Sequence, residues 1–168
     1  MNSKAELQEK VSARYGEGAQ ERQEALCCPV DYDSSLLELL PAEIVERDYG
    51  CGDPSRYVQR GDTVLDLGSG GGKICYMAAQ LVEQGGRVIG VDMTDEMLGL
   101  ARRHQSDMAA KLGENRVEFL KGYIQDLALD VAAEERYIEA HPDGSEEELR
   151  QWRAQQRAEQ PLVANDSI

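Results

Sequence analysis

Ten residues, Val64-Leu65-Asp66-Leu67-Gly68-Ser69-Gly70-Gly71-Gly72-Lys73, constrain this chain more than any other feature. A short apolar run of strand type feeds four glycines within five positions, and the residues that follow have helical spacing. A strand that turns through glycines directly into a helix puts bare backbone at the turn, because glycine lacks a Cβ and tolerates positive φ. A ligand can approach such a turn closely.

The residues around the loop repeat the unit. Thr63–Leu67, Arg87–Val91 and Val117–Leu120 are predicted strands, each rich in Val, Ile, Leu or Phe. Between them the spacing predicts a helix over 72–84, stopped by Gly85-Gly86. A second helix starts at Thr94 as N-cap, has Asp95 and Glu96 in its first turn, and carries Met97, Ala101, His104, Met108 and Leu112 on one face. Alternating strands and helices imply parallel strands, since each crossover is long enough to return to the same end of the sheet. The fold class is therefore α/β, a Rossmann-like doubly wound parallel sheet of which the sequence supplies three strands.

Three zones follow. Residues 1–60 form a helical and loop cap, with a helix near Lys4–Ala13, an apolar run Ser35–Leu40 closed by Pro41, and irregular backbone over Asp48–Pro54. Residues 61–130 hold the strands. Residues 131–168 are helical and polar: Ser145 and Glu148 have capping-box spacing for a helix that reaches about Gln160, and His141-Pro142-Asp143-Gly144 is a turn.

Two ligand classes use a glycine turn of this kind. A dinucleotide fingerprint read from Gly68 and Gly70 needs glycine at position 73, where this chain has Lys73. Asp66, at the carboxyl end of the first strand, would repel a pyrophosphate and attract an ammonium or sulfonium group. Asp92 ends the second strand, where an acidic residue accepts both hydroxyls of a ribose. Asp126 follows the third strand, so three carboxylates at successive strand ends are expected to line one crevice. A zwitterionic cofactor with a cationic centre fits better than a phosphorylated one.

With these residues in view, the stretch resembles the cofactor half of the class I S-adenosylmethionine-dependent methyltransferases. Asp66, Gly68, Gly70 and Gly72 match that family's Asp-x-Gly-x-Gly-x-Gly loop, and Asp92-Met93 its second-strand end. The resemblance implies S-adenosyl-L-methionine as cofactor. It implies contacts from Gly68, Ser69 and Gly70 to the methionine part, from Asp92 to the ribose, and from Met93 with Ile124, Gln125 or Asp126 to the adenine. A narrower resemblance rests on Glu46-Arg47-Asp48-Tyr49-Gly50-Cys51-Gly52-Asp53-Pro54 and Gly90-Val91-Asp92-Met93-Thr94-Asp95-Glu96-Met97. Both segments resemble the arsenite methyltransferases, over about residues 10–130. In that family the matching cysteine helps to hold As(III), which makes Cys51 the expected metalloid ligand, and soft As(III) suits thiolates. Cys27 or Cys28 would supply a second thiolate. Two reactants held together need little more than positioning, because arsenic bound to thiolates keeps a lone pair for the sulfonium methyl group.

Other residues read more plainly. Cys75 is expected as a small buried hydrophobe in the helix after the loop. His104 belongs at a helix boundary with a satisfied ring, and His141 in solvent. Tyr15, Tyr49 and Tyr123 suit either the crevice or ordinary packing.

Charge and length bound the rest. The net charge of −14 is spread along the chain with no basic arm, which disfavours nucleic acid and anionic membranes as partners. No apolar run could serve as a signal peptide or cross a bilayer, so a cytoplasmic setting with reduced cysteines is expected. No Cys-x-x-Cys pair suggests zinc. The 168 residues hold three predicted strands where the family has seven, so the expectation is an N-terminal fragment, inactive by itself if the substrate side is incomplete. The alternatives are a class I methyltransferase for a small organic molecule, and a non-catalytic chain whose open sheet edge self-associates or pairs with another chain.

Overall fold

The structure is a computed structural model that describes residues 4–21, 23, 31–47, 49–50 and 52–164. Cys27, Cys28 and Cys51 lie outside the described residues. The first helix, α1 (Lys4–Gln20), extends beyond the predicted stretch, and two short helices follow, α2 (Ser34–Leu37) and α3 (Ala42–Glu46). A 3₁₀ turn at Ser55–Tyr57 leads into β1 (Thr63–Leu67), α4 (Lys73–Val82), β2 (Arg87–Asp92), α5 (Asp95–Arg103), α6 (Gln105–Leu112) and β3 (Val117–Lys121). Two further helices, α7 (Val131–Ala140) and α8 (Glu146–Glu159), complete the order.

The sheet is parallel in the order β1-β2-β3, with Asp66 beside Gly90 and Gly90 beside Phe119. Side chains alternate across it. Val64, Val88, Val117 and Phe119 face a core with Cys75, Tyr76, Met77, Leu98, Leu100 and Met108 from α4, α5 and α6. Leu65, Ile89, Val91 and Leu120 face the other way, onto Leu127, Leu162 and Val163. The helices of both crossovers thus lie on one face, while the chain after α8 returns across the other: Val163 N–H donates to Leu127 O at 3.0 Å. Among the described residues the outer side of β1 pairs with no strand.

The long helix predicted from Thr94 is two helices, broken at His104 (φ −97°, ψ 0°). Interactions on both sides of the break favour it. Arg102 donates to Phe119 O at 2.7 Å and Gln105 to Val117 O at 2.6 Å, which ties each segment to β3 separately. The His104 ring meets Glu43 Oε2 at 2.8 Å. Thr94 occupies the N-cap position, but its side chain makes no capping bond; Asp92 Oδ1 instead accepts the Thr94 N–H at 2.8 Å.

Glu43 joins the N-terminal residues to this junction. It accepts from Arg47 at 2.6 Å, Arg103 at 2.8 Å and His104 at 2.8 Å. The end of α1 is held by two side chains that satisfy its last carbonyls. Arg47 donates to Ala19 O at 2.8 Å and Tyr49 Oη to Gly18 O at 2.9 Å. At the other end of the chain, Ser145 and Glu148 form the expected capping box of α8. His141 is exposed and stacks on Tyr137, with ring centroids 4.2 Å apart.

Candidate functional site

At the carboxyl ends of β1 and β2 opens a cavity of ≈1140 Å³. Pockets for drug-sized ligands measure roughly 300–1,000 Å³, so this space is large enough for a nucleoside cofactor. The glycine turn forms its floor. Gly68, Gly70 and Gly72 have φ of +80°, +52° and +86°. Gly72 is required twice over, by its positive φ and because a Cβ there would stand 2.7 Å from Phe119 Cζ.

The hydrogen bonds of the turn decide which ligand it suits. Gly68 N–H and Ser69 N–H both donate to Val91 O, at 2.8 and 3.0 Å, and Gly72 N–H donates to Ser69 O at 2.9 Å. Gly70 N–H donates to Asp92 Oδ2 at 2.9 Å. The N–H groups of Gly68, Ser69, Gly70 and Gly72 are therefore committed inside the protein, which leaves the turn a poor cradle for a pyrophosphate. Asp66 and Asp92 both line the cavity, as do Arg47 and Arg56. Arg47 is engaged by Glu43 and Ala19 O, and Arg56 donates to Asp53 O at 3.0 Å. The loop side of the cavity is thus acidic, which favours a cationic group there.

One buried polar atom in this loop has no partner. Ser69 is 8% exposed, and its Oγ makes no hydrogen bond, a cost that a bound ligand would remove. An unpaired hydroxyl, two carboxylates and a turn with committed N–H groups fit a zwitterionic nucleoside cofactor such as S-adenosylmethionine.

Of the residues expected to bind the cofactor, Asp66, Gly68, Ser69, Gly70, Asp92, Met93, Ile124 and Gln125 all line the cavity. Gly72 shapes the turn from the head of α4. Asp126 departs from the expectation of three carboxylates in one crevice. Arg157 of α8 takes its carboxylate at 2.7 and 3.1 Å, and Asp126 is not among the lining residues. Nothing local in the sequence signals that pair, whose members stand 31 residues apart. Tyr15 and Tyr49 line the cavity, with ring centroids 6.4 Å apart, while Tyr123 does not line it. Sequence reasoning missed Gln8 and Val11 of α1, and Arg56 and Tyr57 of the 3₁₀ turn. Their place at the cavity depends on how α1 and the 3₁₀ turn pack over the sheet, which no local motif in the sequence signals.

The expected thiols are undescribed, but Gly50 and Gly52, which flank Cys51 in the sequence, both line the cavity. Among the described residues no cluster of three or more His, Cys, Asp or Glu is placed to hold a metal ion. Cys75 is fully buried, as expected, and its thiol donates to Asp66 Oδ2 at 3.3 Å. Burial, and then the charge of Asp66, push this thiol well above its ordinary pKa, so it stays protonated. Among the described residues no helix is long and apolar enough to cross a membrane.

Comparison with known proteins agrees with this geometry. Residues 59–138 match a family described as a methyltransferase domain. An arsenite methyltransferase of Aquipseudomonas alcaligenes is 40% identical over 129 residues, which are 73% of this chain and 37% of that protein. One from Halobacterium salinarum is 40% identical over 112 residues, 60% of this chain and 28% of its own. The crystal structure of an arsenic(III) S-adenosylmethionine methyltransferase from Chlamydomonas reinhardtii superposes with a TM-score of 0.53 at 35% identity, covering 61% of this chain and 38% of that one. The chain thus spans well under half the length of the relatives it matches. Residues 59–138 match a methyltransferase domain, and the chain is similar to part of the S-adenosylmethionine-dependent methyltransferases, the arsenite methyltransferases among them.

Proposed function

We propose that this chain binds S-adenosylmethionine in the cavity above the glycine turn and serves methyl transfer to As(III) held by cysteine thiolates. The observation that carries the reading is a single cavity walled on one side by Asp66, Ser69 and Asp92, and on another by Tyr49, Gly50 and Gly52. The cofactor loop and the residues on either side of Cys51 in the sequence therefore border one space, which supports a two-reactant site.

Asp92 is already oriented. Each of its oxygens accepts one backbone N–H, from Gly70 and from Thr94, which fixes the carboxylate for ribose hydroxyls to donate to the remaining lone pairs. Asp66 would receive the ammonium group of the methionine part, and Ser69 Oγ would gain its missing partner there. Met93, Ile124 and Gln125 border the side assigned to the adenine. When bound, S-adenosylmethionine supplies an electrophilic sulfonium methyl group, for which the lone pair of thiolate-bound arsenic is a sufficient nucleophile without a general base. Cys51, with Cys27 or Cys28, is proposed to hold the metalloid, in line with the softness of both partners. The aromatic rims of Tyr15 and Tyr57 favour, as a second reading, a small organic acceptor in the same space.

The test is transfer of a labelled methyl group from S-adenosylmethionine to arsenite, compared in the wild type and Cys51→Ser. The expected result is labelled methylarsenic from the wild type alone, with cofactor binding equal in both. Equal transfer by both, or transfer only to organic acceptors, would favour the second reading. If this chain turns over no acceptor, arsenite binding lost in Cys51→Ser still supports the thiolate role, and equal arsenite binding refutes it.

A further inference from the structure

The loop contains an interaction that cofactor recognition as described does not use. Asp66 and Gly90 are register partners on adjacent strands. Because Gly90 has no side chain, the space beside Asp66 is open, and the Cys75 thiol enters it from the first turn of α4. A Cβ at Gly90 would stand 2.8 Å from Cys75 Sγ and 2.9 Å from Ser69 Cβ. The thiol reaches Asp66 Oδ2 at 3.3 Å, within the range of a sulfur donor. Asp66 lines the cavity, whereas Cys75 is fully buried behind it. Beside both stands Ser69, buried with its Oγ unpartnered, an independent sign that this corner of the cavity is built for a polar ligand.

We infer that Cys75 is a positioning residue, whose thiol holds the Asp66 carboxylate in the orientation that receives the ammonium group of the cofactor's amino-acid part. The inference rests on the proposed cofactor site and adds a specific division of labour to it. A protonated thiol with no solvent access is a neutral donor that leaves the negative charge on Asp66. A charged or larger residue at position 75 would either compete with the ligand or close the space above Gly90. Recognition of the amino-acid end would then depend on Cys75, and recognition of the nucleoside end would not.

The test compares two ligands that share adenine and ribose, S-adenosylhomocysteine and 5′-methylthioadenosine, which lacks the amino-acid part. Dissociation constants are measured by calorimetry for the wild type, Cys75→Ala and Cys75→Ser. Both variants remove packing volume, but only serine keeps a donor. The expected result is about a three- to tenfold loss of S-adenosylhomocysteine affinity in Cys75→Ala, the range of one net hydrogen bond, with 5′-methylthioadenosine affinity unchanged. The ratio of the two constants in Cys75→Ser should stay nearer the wild-type value. Equal weakening of both ligands, or the same ratio in Ala and Ser, would reduce Cys75 to packing and overturn the inference while leaving the cofactor site standing. Failure of the wild type to bind either ligand would overturn the site itself, and the inference with it.

Discussion

Replacing Gly90 by alanine inserts one methyl group into a crowded point under the cofactor loop. The new Cβ would stand 2.8 Å from Cys75 Sγ, 2.9 Å from Phe119 Cδ1 and 2.9 Å from Ser69 Cβ. Carbon contacts are comfortable only at about 3.5–4.0 Å, so α4, β3 and the loop must each recede by about 0.5–1 Å. Such overpacking costs about 1–3 kcal/mol. The reduced freedom of the unfolded chain returns about 0.4–1 kcal/mol, which leaves a net loss of about 1–2 kcal/mol. Gly99 is the control. It lies on the exposed side of α5, and a Cβ there meets nothing within 4 Å, so Gly99→Ala should add about 0.5–1 kcal/mol through helix propensity. Urea unfolding followed by far-ultraviolet circular dichroism should therefore separate the two glycine-to-alanine variants by about 1.5–3 kcal/mol, on opposite sides of the wild type. Since Ser69 is one of the groups displaced, Gly90→Ala should also weaken S-adenosylhomocysteine binding, and Gly99→Ala should not. A Gly90→Ala protein as stable as the wild type, with normal binding, would refute the packing described under the loop.

Other outcomes follow from single residues. The carboxyl of Glu43 is held below its ordinary pKa by the His104 hydrogen bond first, and by Arg103 and Arg47, against the opposing effect of burial. A carboxyl depressed in the folded state contributes stability above its unfolded pKa of about 4.3 and loses it as pH falls through the lower folded value. The stability difference between the wild type and Glu43→Gln should therefore be constant at neutral pH and shrink below about pH 4.3, read from denaturant midpoints across pH; a constant difference down to pH 3 would contradict the cluster. Tyr49→Phe removes the bond to Gly18 O and the one accepted from Gln23 N–H. It should cost about 1–2 kcal/mol and speed hydrogen exchange in the last turn of α1, and unchanged exchange there would contradict the anchoring of that helix.

The sheet was legible in the sequence because its information is local. The bounds of β1 agree with the run Thr63–Leu67, and those of β2 and β3 extend the predicted runs by one residue each. Short runs rich in Val, Ile, Leu or Phe, bounded by glycine or charged residues, carry that signal. The break at His104 was not legible, since Met97, Ala101, Met108 and Leu112 keep helical spacing across it; the cause is tertiary, in the bonds from Arg102 and Gln105 to β3 and from Glu43 to the ring. The cofactor loop was legible for the same reason as the strands, and eight of its ten expected residues line one cavity. Asp126 was misplaced because strand order alone ignores Arg157, which arrives from α8 and claims the carboxylate. The Cys75–Asp66 bond was equally hidden, since it depends on a vacancy at Gly90 one strand away.

The central claim is that Asp92 and the glycine turn hold S-adenosylmethionine through its ribose. The most direct measurement is calorimetric titration of S-adenosylhomocysteine into the wild type, Asp92→Asn and Asp126→Asn. Binding of one ligand per chain is expected for the wild type, with about ten- to hundredfold weaker binding in Asp92→Asn, the loss expected for hydrogen bonds to a charged acceptor. Asp126→Asn, in the pair with Arg157 outside the cavity lining, should bind like the wild type. No binding by the wild type, or an Asp92→Asn protein that binds as tightly, would contradict the account.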